Sequence, residues 1–233
     1  MKNLIFAIVC VLQTSICLAQ NSYTIKMSAV TEGLPEPYAS SGNMDMVIYA
    51  KGDKYKNETS SMMFNSTTYF DGKILTVLSE FAGNKSAYAT TKEELDATID
   101  PNESKPTIEY TNEKKMIAGY ECTKAIVTKI GRDKSETKSI VWFTDKITVN
   151  SELARKANRR FTTDLGDLKG VPLSIESKGK MFGMDVRTVM TVTEITTGAI
   201  DDAVFVPNTE GYVVDNYKTY LEKMKAMQQG GGR

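Results

Sequence analysis

The sequence contains no histidine among its 233 residues. Histidine supplies the general base of serine and cysteine hydrolases, and it is a frequent ligand of zinc. Its absence therefore excludes those hydrolytic mechanisms and removes the side chain that ordinarily titrates near neutral pH. An enzyme built on this chain would need another arrangement, such as two carboxylates held at a fixed separation.

Acidic residues come close together at three places, namely Glu93 and Glu94, Asp201 and Asp202, and Asp164 and Asp167. Adjacent acids of a strand project to opposite faces and do not form a working pair. The first two pairs are interpreted as solvated charges of a loop or a helix start. The third resembles a fragment of a calcium loop, but it lacks the regular series of ligands and the terminal glutamate. We therefore predict no catalytic residue, no metal site and no cofactor, and we predict that the protein is not an enzyme.

Cysteine is scarce, with three residues in all, of which Cys10 and Cys17 lie in an apolar N-terminal segment. If that segment is removed, the remaining Cys122 cannot form a disulfide within the chain. No second cysteine and no histidine accompany it as redox or metal partners. We predict that Cys122 is a small buried residue of a strand. The alternative is a disulfide between two chains.

Residues 1–19 are predicted to be a signal peptide. Lys2 precedes an apolar run over residues 4–12, and a small residue, Ala19, precedes the predicted cleavage site. This is the order that signal peptidase recognises. The alternative is a lipoprotein acylated at Cys17, although Ile16 stands where a small residue is expected. We expect a protein of the periplasm or a secreted protein.

Long hydrophobic runs and an excess of charge of either sign are both missing. No stretch reaches the roughly 20 apolar residues that span a bilayer, so we do not expect an integral membrane protein. The 29 basic and 29 acidic residues form no basic stripe with interleaved aromatics, so nucleic acid is not an expected partner. No linker or repeat divides the chain. We predict one domain over residues 20–228 and a flexible tail over residues 229–233.

Alternation of apolar and polar residues predicts strands over most of the chain. Gly52-Asp53 and Asp71-Gly72 are typical of the tight turns that connect antiparallel strands. A long amphipathic strand carries Met184, Val186 and Met190 on one face. The other predicted strands are Tyr23–Val30, Met44–Tyr49, Lys54–Ser60, Met62–Phe70, Lys73–Ser79, Thr107–Thr111, Tyr120–Lys129, Lys138–Thr144 and a segment from Gly170 through Ser177.

Three helices are predicted. Thr91 and Glu94 are spaced as in a capping box, which indicates a short helix after Thr91. Ser151–Asn158 is predicted to be a helix capped by Ser151. An amphipathic C-terminal helix carries Tyr217, Tyr220, Leu221 and Met224 on its apolar side. The fold class is therefore mostly β (α+β), with a twisted antiparallel sheet of many strands and a few helices against one face.

Four segments, taken in order, resemble a known family: residues 114–124 (KKMIAGYECTK), residues 141–144 (VWFT), residues 170–173 (GVPL), and residues 205–207 (FVP) followed by Gly211-Tyr212. They are similar to the secreted bacterial family of unknown function number 4412, and the GLPGLI family is the nearest alternative. The resemblance implies the fold of the LolA and LolB lipoprotein carriers. In that fold a curved antiparallel sheet forms an unclosed half-barrel, with helices over an apolar cavity.

The resemblance also implies a function. Methionine is flexible and polarisable, so it suits surfaces that adapt to apolar ligands, and it also fills gaps in ordinary cores. We predict non-catalytic binding of a lipid, a lipidated partner or another apolar ligand in a cavity of the half-barrel. Its predicted walls are Met46, Trp142, Met184, Val186 and Met190. The alternative is a cell-envelope interaction or structural module with a filled core.

Overall fold

The computed structural model describes residues 22–62, 64–98, 104–131, 134–149 and 164–230, and it describes side chains up to residue 226. The predicted signal peptide, the predicted helix Ser151–Asn158 and the last three residues of the chain lie outside the described residues.

The described residues form twelve strands, two α-helices and one short 3-10 helix. The strands are β1 (Ser22–Glu32), β2 (Met44–Lys51), β3 (Lys54–Ser61), β4 (Phe64–Phe70), β5 (Ile74–Phe81), β6 (Asn84–Thr91), β7 (Thr107–Ile117), β8 (Tyr120–Ile130), β9 (Glu136–Thr144), β10 (Val171–Met181), β11 (Met184–Thr197) and β12 (Val214–Asn216). The helices are α1 (Lys92–Asp96) and α2 (Tyr217–Gly230), and the 3-10 helix is Asp202–Phe205.

All twelve strands belong to one sheet, in the order β12-β6-β5-β4-β3-β2-β1-β11-β10-β9-β8-β7. The first strand lies at the centre, between β2 and β11. On either side of it, strands that follow one another in the chain are neighbours and antiparallel. The predicted antiparallel pattern has one exception, because β12 pairs in parallel with β6. Among the described strands, the two outermost do not pair with each other. The predicted mostly β fold, with an unclosed curved sheet and few helices, is confirmed.

One face of the sheet, the inner face, is defined by the register of the first six strands. Residues paired across strands project to the same face. Ile25 of β1 pairs with Ile48 of β2, and the same row of paired residues continues across β3 to β6 with Asn57, Thr68, Val77 and Tyr88. Leu95 of α1, Val149, and Tyr217 and Tyr220 of α2 pack on this face. The helices therefore cover the part of the inner face that lies near β6.

The predicted turn chemistry is present. The Asp71 carboxylate accepts hydrogen bonds from the backbone N–H groups of Lys73 (2.9 Å) and Ile74 (2.8 Å), which holds the hairpin between β4 and β5. The capping box of α1 is also confirmed, since Thr91 and Glu94 each accept a hydrogen bond from the other's backbone N–H. Gly170 has a different role. A Cβ atom there would lie 2.4 Å from the Thr144 carbonyl oxygen, so only glycine allows this approach.

Two strands were not predicted. The sequence of β6 has no β-branched apolar residue, and its strand conformation is imposed by pairing with β5 and β12. The strand β12 has three residues, too few for a periodic signal. The helix α2 extends to Gly230, so it includes the first two residues of the predicted flexible tail.

Cys122 is fully buried, with 0 % of its surface exposed, as the sequence predicts. It packs in the same apolar cluster as Ile117 and Leu173. Burial raises the pKa of its thiol, because the thiolate would lose its hydration.

We therefore expect the Cys122 thiol of the native protein to resist alkylation. Iodoacetamide at mildly alkaline pH should leave the Cys122 peptide unmodified, as measured by peptide mass spectrometry. Denaturation in guanidinium should make the same peptide react fully, because the thiol regains an ordinary pKa in water. Equal labelling rates in the two states would contradict the buried environment.

Candidate functional site

The centre of the inner face is apolar and rich in methionine. Met27 of β1 pairs with Met46 of β2 on one side and with Val192 of β11 on the other. Met190 pairs with Ala29 one step further along the same strands. Met27 and Met46 are each 7 % exposed, and Met190 is half-buried against the same cluster. We call Met27, Met46 and Met190 the methionine row.

Three of the five predicted wall residues meet at this cluster. Met46 and Met190 belong to the methionine row. Trp142 is half-buried and packs against the cluster, and the Lys115 ammonium lies 5.6 Å from the centroid of its ring. Met27 was not among the predicted wall residues. The alternation of β1 was its signal, since it places Met27 and Ile25 on one face.

The other two predicted residues lie further along β11. Val186 is 9 % exposed and lines a groove near the start of the strand. Met184 pairs with Met181 beside the hairpin tip and is half-buried. Both share the face of Met190, because they lie at alternate positions. Val186 and Met190 are about 13 Å apart along the strand.

The groove has a volume of about 740 Å³ and a charged lining, which comprises Glu32, Gly33, Ser135, Thr137, Lys178, Gly179, Lys180, Asp185, Val186 and Arg187. The Arg187 guanidinium donates to Glu176 at 2.7 Å and to Glu32 at 3.1 Å. These hydrogen bonds lower the pKa of the Glu176 carboxyl and raise the pKa of Arg187. The ion triad of Glu32, Glu176 and Arg187 ties β1, β10 and β11 together beside the groove.

The inner face changes character between β2 and β3. Met46 pairs with Thr59 of β3, and the same register continues through residues with small hydroxyl groups on three further strands. These residues are Ser66 of β4, Ser79 of β5 and Ser86 of β6. All four are half-buried. We call Thr59, Ser66, Ser79 and Ser86 the hydroxyl row.

Asn57 lies beside the hydroxyl row, two positions from Thr59 on the same strand. It is 8 % exposed, and its amide nitrogen donates to the Thr59 hydroxyl at 3.4 Å. Its side-chain oxygen has no hydrogen-bond partner among the described residues. Turning the amide over would let the oxygen accept from Thr59 but would leave the nitrogen unpaired. In either orientation one polar end of this buried amide is free.

Sequence analysis does not find this polar region. The five residues come from four strands, and only the register places them side by side. Single serines and threonines are also ordinary strand residues on a solvated face.

Two further findings bear on the chemistry of the chain. In the parts of the chain that the structure describes, no group of three or more cysteine, histidine or acidic side chains is arranged to hold a metal ion. Over the same residues, no helix has the length and apolar character needed to cross a membrane.

No protein-family model matches this chain. No curated protein matches it by sequence. Membership of family 4412 therefore stays a prediction.

Several solved structures are similar to the chain at low identity. The chain aligns with PNGF-II at 16 % identity and a TM-score of 0.48, over 87 % of this chain and 33 % of that one. It aligns with the Pseudomonas aeruginosa MucA/MucB complex at 14 % identity and a TM-score of 0.37, over 82 % of this chain and 56 % of that one. It aligns with the Mycobacterium tuberculosis lipoprotein LppX at 10 % identity and a TM-score of 0.33, over 72 % of this chain and 84 % of that one. The chain thus spans about a third of the length of PNGF-II. At these TM-scores we conclude nothing about its ligand or activity.

The ion triad generates a prediction about pH. Glu176 has a pKa below its ordinary value of 4.5 in the folded protein. Its contribution to stability is therefore present above that pH and is lost as the pH falls through the folded-state pKa. We expect Arg187→Gln to lower the urea midpoint at neutral pH, and the difference from wild type to shrink in acid.

Lys178→Gln is the comparison for charge alone. Lys178 lines the same groove, and its charge also lowers the pKa of Glu176, but less than the Arg187 hydrogen bond does. Its substitution should lower the midpoint less than Arg187→Gln does. A difference for Arg187→Gln that stays constant into acid would show that Glu176 does not stabilise the fold through this pair.

Proposed function

We propose that this protein is a non-catalytic binding protein of the periplasm or the extracellular medium, which holds a lipid or another apolar ligand against its inner face. The observation that carries the proposal is the methionine row, on three neighbouring strands at the centre of the sheet. A lipidated protein is the partner that would present such a ligand. The signal-peptide pattern of residues 1–19 supports export.

Methionine suits this role because its unbranched, polarisable side chain can repack around ligands of different shape. Each CH₂ group of an acyl chain that leaves water contributes about 0.8 kcal/mol. A chain that covered even part of the methionine row would therefore bind without any polar contact. Flexible apolar side chains impose little selection on chain length.

The inner face of β11 supplies a route to the methionine row. Val186 and Met190 lie on this face of the strand. An extended acyl chain laid along it would reach the central cluster about 13 Å from Val186. This route uses Met46, Val186 and Met190 of the predicted walls directly.

A filled core is the second candidate, and one observation favours it. Met27 and Met46 are each only 7 % exposed, so the protein's own residues cover them. In that case the protein would act through its outer surface, as an interaction or structural module of the cell envelope.

Native mass spectrometry separates the two candidates. The protein is purified from the periplasm without detergent and analysed before and after denaturation. Extra mass that matches a lipid and disappears on denaturation supports the carrier function and identifies the cargo. A bare mass, with no uptake when lipids are offered, supports the filled core.

Substitution of Met190 tests the route. We expect Met190→Glu to weaken binding of the neutral fluorescent probe N-phenyl-1-naphthylamine by at least about tenfold, because a carboxylate resists burial against an acyl chain or aromatic ring. Met190→Leu, which conserves volume, should retain binding. Probe titrations measure both variants, after circular dichroism and thermal melts have shown that each is folded.

Val30→Glu is the matched control for charge. Val30 lies on the opposite face of the neighbouring strand and is 50 % exposed. The Val30→Glu variant should bind the probe as tightly as the wild-type protein does. If Met190→Glu does not fold, Met190→Gln takes its place, with a smaller expected loss. Wild-type binding by folded Met190→Glu would contradict the proposal that the ligand lies on the inner face.

A further inference from the structure

The polar region of the inner face adds a second part to the proposed site. Asn57 and the hydroxyl row occupy β3 to β6, directly beside the methionine row. Met46 and Thr59 are paired neighbours at the boundary. An amphipathic ligand could lie across this boundary, with its apolar chain on one side and its head group on the other.

Charge is excluded from this polar region by the register. The charged residues of β3 to β6 all lie at alternate positions on the outer face, and they are Lys54, Lys56, Glu58, Glu80 and Lys85. The inner positions of the same strands carry hydroxyl, amide and apolar groups. A carboxylate or phosphate head group would find no counter-charge on these strands. A neutral head group would find only hydrogen-bonding partners.

The free polar end of Asn57 points to a ligand. Buried polar groups are almost always paired, since an unpaired one loses the hydrogen bonds that it makes in water. Asn57 is 8 % exposed, and its side-chain oxygen has no partner among the described residues. The neighbouring hydroxyls can donate or accept. Ser66 donates to the Leu78 carbonyl at 3.1 Å and lies 3.3 Å from Ser79.

We infer that Asn57 and the hydroxyl row form a head-group subsite for a neutral amphiphile whose head carries hydroxyl or amide groups. The inference rests on the proposed function and gives its ligand a chemical class. A monoacylglycerol or an acyl amide fits this class. A free fatty acid at neutral pH does not, because its head group is charged.

Two amphiphiles with the same chain test the subsite. Glycerol monododecanoate and dodecanoic acid, each below its critical micelle concentration, compete with N-phenyl-1-naphthylamine for the purified protein. We expect the neutral ester to displace the probe at an about fivefold lower concentration, which is the value of about one additional hydrogen bond. The variant Asn57→Leu should lose this preference and still bind the probe.

Stability separates a ligand-binding role of Asn57 from a structural one. If the free amide end serves a ligand, Asn57→Leu should melt at the same temperature as wild type or higher, because an unpaired polar group has been removed. If the amide holds a buried water that the fold needs, the variant should melt lower with its preference unchanged. That result would contradict the inference.

Thr59→Val and Ser60→Ala form the matched pair. Thr59 belongs to the hydroxyl row, whereas Ser60 is exposed on the outer face and bonds to Asn65 at 2.9 Å. Only Thr59→Val should reduce the preference for the neutral ester. Equal displacement by both amphiphiles, with normal probe binding, would overturn the subsite and leave the proposed function in place. Failure of the wild type to bind the probe would overturn both.

Discussion

The pairing of β1 with both β2 and β11 is the constraint on which the rest of the structure depends. It joins two runs of hairpins that are otherwise far apart in the chain, and it sets the register for both. An ion pair between Lys26 and Glu194, at 2.7 Å, marks this junction on the outer face. A slip of one residue would turn Ile25 and Met27 outward and expose the whole central cluster. The position of the central cluster therefore depends on the register of one strand.

Local signals in the sequence predicted the strands well, because their causes are local. The turn at Asp71-Gly72 needs only a side-chain acceptor and a glycine, and the capping box needs only Thr91 and Glu94. Period-two alternation placed Met184, Val186 and Met190 on one face of β11. The sequence does not predict which strands are neighbours in the sheet. The order of strands brings β1 beside β11 and returns β12 to β6, and no local pattern encodes either contact.

The same limit applies to the candidate site. The wall residues chosen from apolar patterns were dominated by methionine, and three of them reach one cluster. The polar region was missed because its members are unremarkable one at a time. Asn57 becomes unusual only when β2 and β4 enclose it and bury its amide. Burial of polar groups depends on tertiary structure, so it is the property that alternation within a single strand predicts least well.

The two outermost strands of the sheet are treated differently, and this has a consequence for self-association. On one side, β12 covers β6, and α2 follows it directly. On the other side, β7 is an edge strand of eleven residues, and among the described strands only β8 pairs with it. Its exposed positions include Glu109, Glu113, Lys114 and Lys115. A second copy that added there would have to desolvate these charges. The charged edge thus opposes growth of the open sheet by addition of further molecules.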